Sequence, residues 1–424
     1  MKIVNANAAP EMLKAMRERA VEVGSKITAV AEEILRDVRT RGFDAVREYS
    51  LKFDKAEPRE ISREEMETAL VRISPILRRA IERSAENIRE YQKKILSVSE
   101  EWEIADNCVL GQVVRGMDKV GIYVPGGTAA YPSTVLMNAI PAQVAGVREI
   151  IMVTPPTENM NDAVLAAAFI AGVDRVIGVG GVQAVAALSY GAGFIPRVDK
   201  LTGPGNAYVA AAKRMVYGNI DIDMVAGPSE VLIIADETAN YQYVAADLLS
   251  QAEHDRLAAC ILLTTSESLA GLVADEVKKQ SEKLPRKDII EESINNFGVI
   301  IVCENLDEAA ELANEIAPEH LEVMTAHPRD LLPKLKNAGA IFLGENTPEP
   351  LGDYMAGPSH VLPTSGTARF FSPLSCQSFL KRMSIIEYSR DGLEKVAEEI
   401  VAFAESEKLD AHANSIKIRF GGME

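Results

Sequence analysis

Between about residues 118 and 343 the chain repeats one unit: a short apolar run, a loop with glycine or proline, then an alanine- and valine-rich stretch. Val120-Gly-Ile-Tyr-Val124 runs into Pro125-Gly-Gly127, Ile150-Ile-Met-Val153 ends before Pro155-Pro156, and Val176-Ile-Gly-Val179 ends at Gly180-Gly181. Helical segments at about 134–146, 162–172 and 183–192 separate them. The pattern resumes with Val231–Ala235, Ile261–Thr264, Val299–Val302 and Ala340–Leu343. Unbroken apolar runs suit strands buried on both faces, and strand–loop–helix repetition builds a parallel sheet with helices against it. The chain is therefore α/β. The βα units fall into two groups, which suggests two similar halves.

The flanks read differently. Residues 1 to about 115 read as helical: Ser62-Arg-Glu-Glu65 has the form of a capping box, followed by Met66, Leu70, Ile73, Leu77 and Ile81 three to four apart. The segment carries no chemical motif and is expected to pack as a helical layer. Beyond about 345 the chain is proline- and glycine-rich to about 373, and the last 50 residues read as helical, then extended at Asn414–Arg419. A length of 424 residues suits two to three domains. The net charge of −17 argues against non-specific nucleic-acid binding, which needs a basic face. Cys108, Cys260, Cys303 and Cys376 show no metal or redox spacing, and Cys260 and Cys303 sit in apolar runs as buried thiols. No apolar run approaches the roughly 18 residues of a membrane span, and the first residues lack a signal-peptide core. The expected location is cytoplasmic.

Chemistry concentrates in few residues. The chain has only 5 histidines. Gln251 and His254 are three apart in a helical stretch that begins near Tyr241, so both share one face. With loop-borne Asp353 and His412 of the tail they make a nitrogen/oxygen set that suits zinc, with manganese or cobalt as alternatives, although the same pair also suits a plain exposed face. Glu319-His320 follows Pro318 and precedes the apolar run Leu321–Met324, a junction that can hold a base and an acid on one substrate or simply end a helix. Three loops could approach a dinucleotide: Tyr123-Val-Pro-Gly-Gly127, Gly180-Gly-Val-Gln183 and Leu201-Thr-Gly-Pro-Gly-Asn206. None is a GxGxxG fingerprint, and each alone also reads as an ordinary strand-to-helix turn.

Longer blocks carry a resemblance. Gly121–Gly127, Val179–Ala186, Thr202–Asn206, Ala226–Val231, Asp247–His254, Ala317–Glu322, Gly357–Thr364 and Ala411–Asn414 together resemble histidinol dehydrogenase over nearly the whole chain. The resemblance implies a four-electron oxidation of L-histidinol to L-histidine through the aldehyde, using two NAD+. It implies NAD contacts at Tyr123, Gln183 and Asn206, zinc ligands at Gln251, His254, Asp353 and His412, and the catalytic pair Glu319 and His320. Substrate contacts are expected from Ser229, Gln251, His254, His320, Asp353, Glu407 and His412. The implied fold is two related, incomplete Rossmann-like domains with small N- and C-terminal segments, resembling that of aldehyde dehydrogenases. The expected division is an N-terminal segment at 1–20, one domain at 21–118 with 231–374, an NAD-binding domain at 119–230, and a tail at 375–424. That tail is expected to reach the partner's site in a homodimer. The alternative is a related zinc- and NAD-dependent dehydrogenase for another small alcohol, such as a sulfonated diol. Glu407 suits a cationic substrate and favours histidinol.

Overall fold

A computed structural model describes residues 1–8, 25–105, 107–126, 131–156, 160–225 and 227–421. Gly127 and Ala226 of the quoted blocks, and most of the 1–20 segment, lie outside the described residues. Strands run in chain order as β1 (Lys2–Asn5), β2 (Arg59–Ile61), β3 (Glu100–Ala105), β4 (Cys108–Gly116), β5 (Lys119–Tyr123), β6 (Glu149–Thr154), β7 (Arg175–Gly178) and β8 (Lys200–Thr202). They continue as β9 (Asp221–Ile222), β10 (Glu230–Ala235), β11 (Ala259–Thr264), β12 (Gly298–Val302), β13 (His320–Met324), β14 (Ala340–Leu343) and β15 (Leu380–Tyr388). The chain forms two compact units: Met1–Ile95 with Met117–Phe379, and Leu96–Gly116 with Leu380–Glu424.

The larger unit holds two six-stranded sheets, ordered β2-β7-β6-β5-β8-β9 and β1-β12-β11-β10-β13-β14. Apart from the edge strands β1 and β2, both follow one plan. The first strand lies in the middle, the second and third go to one side, and the fourth and fifth go to the other. All those pairings are parallel. The two halves expected from the sequence are thus one topology used twice. Every residue of β10, β11 and β13 is buried. Along β10, Val231 and Ile233 pack with Val244, Leu248 and Val273 on one face, and Leu232 and Ile234 with Ala309 and Ala313 on the other. Helices cover both faces, so the apolar run has no polar alternation.

The helical layer is present but interrupted. The Ser62 capping box forms, with Glu65 N–H on Ser62 Oγ and Ser62 N–H on Glu65 Oε2. The helix Ser25–Arg41 buries Ala31, Ile34, Leu35 and Val38 against the first sheet's helices. Residues 1–115 are not wholly helical, however: β1 edges the second sheet, and β2 adds antiparallel to β7 of the first. Two of the three residues of β2 are exposed, so it shows no apolar run.

The smaller unit contains the antiparallel sheet β15-β4-β3, then helices Arg390–Glu394, Ala397–Ser406 and Asp410–Lys417. Asn414–Arg419 is helical, not extended. Ile416 and Ile418 alternate with Lys417 and Arg419, which mimics a strand, but Ala413 and Ile416 pack at helical spacing against Val401 and Ala404. Every residue of β3 is exposed, so burial left no period to read there.

Candidate active site

β10 and β13 are parallel neighbours with Val231 opposite His320. That register sets Ser229-Glu230 beside Glu319-His320 at the amino ends of two central strands. The backbone of one residue then orients both candidate catalytic groups. The Glu230 N–H donates to Glu319 Oε2 at 3.0 Å, and the Glu230 carbonyl lies 3.0 Å from His320 Nδ1. A carbonyl only accepts, so Nδ1 carries the ring hydrogen and Nε2 carries the lone pair. His320 Nε2 is buried without a hydrogen-bond partner. Burial lowers the imidazole to about 4, so it is neutral near pH 7. Burial pushes the Glu319 carboxyl well up, and its Oε2 lies 3.7 Å from His320 Nδ1.

Gln251 lies in the last turn of the helix Tyr241–Ala252, and His254 follows just beyond it. Asp353 sits in the single turn Gly352–Ala356. With Ser229, Glu319 and His320 they line one cavity of about 520 Å³. The structure thus brings together six of the predicted site residues. Burial pushes Asp353 up, but His360, His320 and His254 around it outweigh this and hold it below the usual carboxylate range. His360 Nδ1 lies 3.7 Å from Asp353 Oδ1, which gives that histidine a place the sequence did not. Gln251 Oε1 is buried with no hydrogen-bond partner.

Glu349 is the residue no motif singled out. It is buried, accepts from Ser250 Oγ at 3.2 Å, and has Oε1 4.0 Å from His320 Nε2. Burial and the nearby Asp353 charge push it up to about 8. Among the described residues, His320, Glu349 and Asp353 bring ligand atoms within 4.8 Å of one another. This trio shares only Asp353 with the expected zinc set. The one hint in sequence is a second acid, four residues ahead of Asp353 in Pro348-Glu-Pro350.

The opposite wall comes from the first sheet. Pro125 and Gly126 after β5, and Gly203–Gly205 after β8, face the same cavity. It therefore lies between the carboxyl edge of one sheet and the amino edge of the other. Tyr123, Gln183 and Asn206 lie around that carboxyl edge but outside the cavity lining. The Tyr123 hydroxyl accepts from Gly181 N–H at 3.0 Å, Gln183 Nε2 donates to Asp54 at 3.3 Å, and Asn206 caps the helix Ala207–Val216. Glu407 and His412 belong to the smaller unit, both exposed, at the end of the helix Ala397–Ser406 and within Asp410–Lys417.

The duplicated α/β sheet is an architecture shared with solved aldehyde dehydrogenases. An acetylating aldehyde dehydrogenase from Geobacillus thermoglucosidasius shares that fold at 13% identity and a TM-score of 0.50, over 91% of this chain and 97% of that one. The likeness to one group is far stronger. The family profile of histidinol dehydrogenase matches residues 17–420. Histidinol dehydrogenase of Clostridium acetobutylicum is 52% identical over 96% of this chain and 95% of its own. That of Aquifex aeolicus is 52% identical over 96% of each. The crystal structure of histidinol dehydrogenase from Elizabethkingia anophelis superposes with a TM-score of 0.93 at 36% identity, covering 99% of this chain and 97% of that one. The chain belongs to the histidinol dehydrogenase family, an enzyme family of histidine biosynthesis.

Proposed function

We propose that this chain oxidises L-histidinol to L-histidine through L-histidinaldehyde, with two NAD+ and one zinc ion per subunit, as a cytoplasmic homodimer. The observation that carries the reading is His320: a neutral imidazole whose tautomer is fixed by the Glu230 carbonyl, with Nε2 buried and without a hydrogen-bond partner while Glu319 lies on the Nδ1 side. Nε2 takes the substrate hydroxyl proton as hydride leaves the carbinol carbon. NAD+, when bound, supplies the nicotinamide that receives the hydride. The aldehyde then adds water. A carboxyl pushed up by burial is a stronger base once ionised, and Glu319 takes the proton from that water while Nε2 returns its own proton to the aldehyde oxygen, which regenerates the neutral imidazole. The second hydride leaves the hydrate carbon while Nε2 takes a hydroxyl proton again, which yields the acid.

The donor set suits zinc. Gln251 Oε1 is a buried oxygen with no other partner, and Asp353, held below the usual range, presents an ionised carboxylate near His254. Gln251, His254 and Asp353 would hold the metal with His412 from the partner's tail. Zinc, when bound, supplies the charge that grips the substrate's imidazole and amine and so orients the carbinol carbon. Glu407 would meet the substrate cation. The tail's contribution in trans fits the smaller unit's own surface. Trp102, Ile104, Ile386 and Phe403 are large apolar side chains left exposed on it, a pattern that marks an interface.

Two substitutions separate base from metal. His320→Asn is expected to lower turnover by about 10²–10⁴-fold with zinc stoichiometry intact. His254→Ala is expected to lower zinc content together with histidinol affinity. Near wild-type turnover in the first, or unchanged metal content in the second, would remove that residue's role.

A further inference from the structure

One glycine after β8 is held at both backbone polar groups by a buried ion pair that neither motif nor mechanism uses. Gly203 has φ near +107°, and a Cβ there would sit 2.1 Å from the Tyr123 carbonyl oxygen. Only glycine lets this loop press onto the strand end that carries Tyr123. Both polar groups of Gly203 are then tied. Its N–H donates to Asp223 Oδ2 at 2.8 Å, and its carbonyl accepts from Lys213 Nζ at 2.8 Å. Lys213 and Asp223 pair directly, and Asp223 Oδ1 also accepts from Met224 N–H at 2.7 Å. The two side chains are only 5% and 2% exposed, and both border the catalytic cavity.

The pair joins three pieces of the site. Lys213 stands on the helix Ala207–Val216 that the loop enters. Asp223 begins the segment that leads from β9 toward Ser229. Gly203 opens the loop that leads from β8 into that helix. A buried ion pair is a poor source of stability, because desolvation offsets the Coulomb attraction and apolar residues of similar volume often fold as well. What an apolar pair does not offer is an acceptor for one peptide N–H and a donor for the same residue's carbonyl. The pair's distinctive contribution is loop shape.

We propose that Lys213 and Asp223 are positioning residues for NAD+. They fix the Gly203 peptide so that the loop through Asn206 meets the dinucleotide, without touching it themselves. The inference rests on the dinucleotide reading of that loop.

The test compares Lys213→Met, Asp223→Leu and the double variant in the full-length protein. It reads thermal midpoint, zinc content and the apparent KM for NAD+ and for histidinol. Each single variant strands a buried charge and is expected to lose stability. Both singles and the double variant are expected to raise the KM for NAD+ about tenfold or more, with zinc content unchanged. The double variant removes both charges and is expected to regain stability while the NAD+ defect remains. That split is one a purely structural pair would not produce. Recovery of NAD+ KM together with stability would overturn the proposal, as would single variants with wild-type NAD+ KM. A double variant that stays unfolded assigns the pair to stability alone and overturns it too. If the unaltered protein reduces no NAD+ with histidinol, the dinucleotide reading itself fails and takes this one with it.

Discussion

Glu319 and His320 are adjacent in sequence, yet their chemistry is divided by one backbone unit. The Glu230 N–H holds the carboxyl and the Glu230 carbonyl holds the ring. The roles proposed for them in the two oxidations differ accordingly. Glu319→Gln keeps the size and an oxygen for the Glu230 N–H but cannot take a proton from water. It is expected to slow aldehyde oxidation by about 10²-fold or more and alcohol oxidation much less. Feeding alcohol and aldehyde separately and comparing their rates checks this, and equal slowing would remove the water-activating role. At this scale the sequence is informative where a motif carries the side chain that reaches the cavity. Ser229, Gln251, His254, Asp353 and the Glu319-His320 pair all reach one cavity. Residues that act through backbone or through burial left no signal. Glu230 works by its peptide, which any residue shares. Glu349 becomes notable only because folding buries it 4.0 Å from His320 Nε2.

Strands were legible where both faces are buried. In β10 and β11 every position is apolar or enclosed, so composition alone marks them. The short or exposed strands β1, β2 and β3 were not. Their pairing depends on partners distant in sequence, and burial supplies no period. The tail failed for the opposite reason: alternating isoleucines and cations imitate a strand over too few residues to separate the periods. Local capping, by contrast, was read correctly, because a capping box is complete within four residues. Ser62→Ala is expected to lower stability by about 1 kcal/mol while histidinol oxidation is unaffected. Denaturation measured beside the activity assay checks it, and unchanged stability would mean that the reciprocal pair contributes nothing.

The molecule uses one sheet plan twice but spends its edges differently. The first sheet offers its carboxyl edge, where dinucleotides bind in open α/β sheets, and the second offers the amino ends of β10 and β13. No sequence repeat announces the duplication, since strand order constrains topology and not residue identity. The tail adds a prediction that belongs to the assembly. Chains carrying His320→Asn and chains carrying His412→Asn are each expected to be inactive. Mixed after dissociation, half the dimers are hybrids with one intact site, so activity returns to about a quarter of wild type if the tail acts in trans. No recovery would place His412 in its own chain's site. The account as a whole is tested most directly by stoichiometry. Limiting L-histidinol is incubated with excess NAD+, with and without a chelator. Two NADH per histidinol, abolished by chelation and restored by zinc, is the predicted result; one NADH with aldehyde accumulating, or turnover indifferent to chelation, would contradict it.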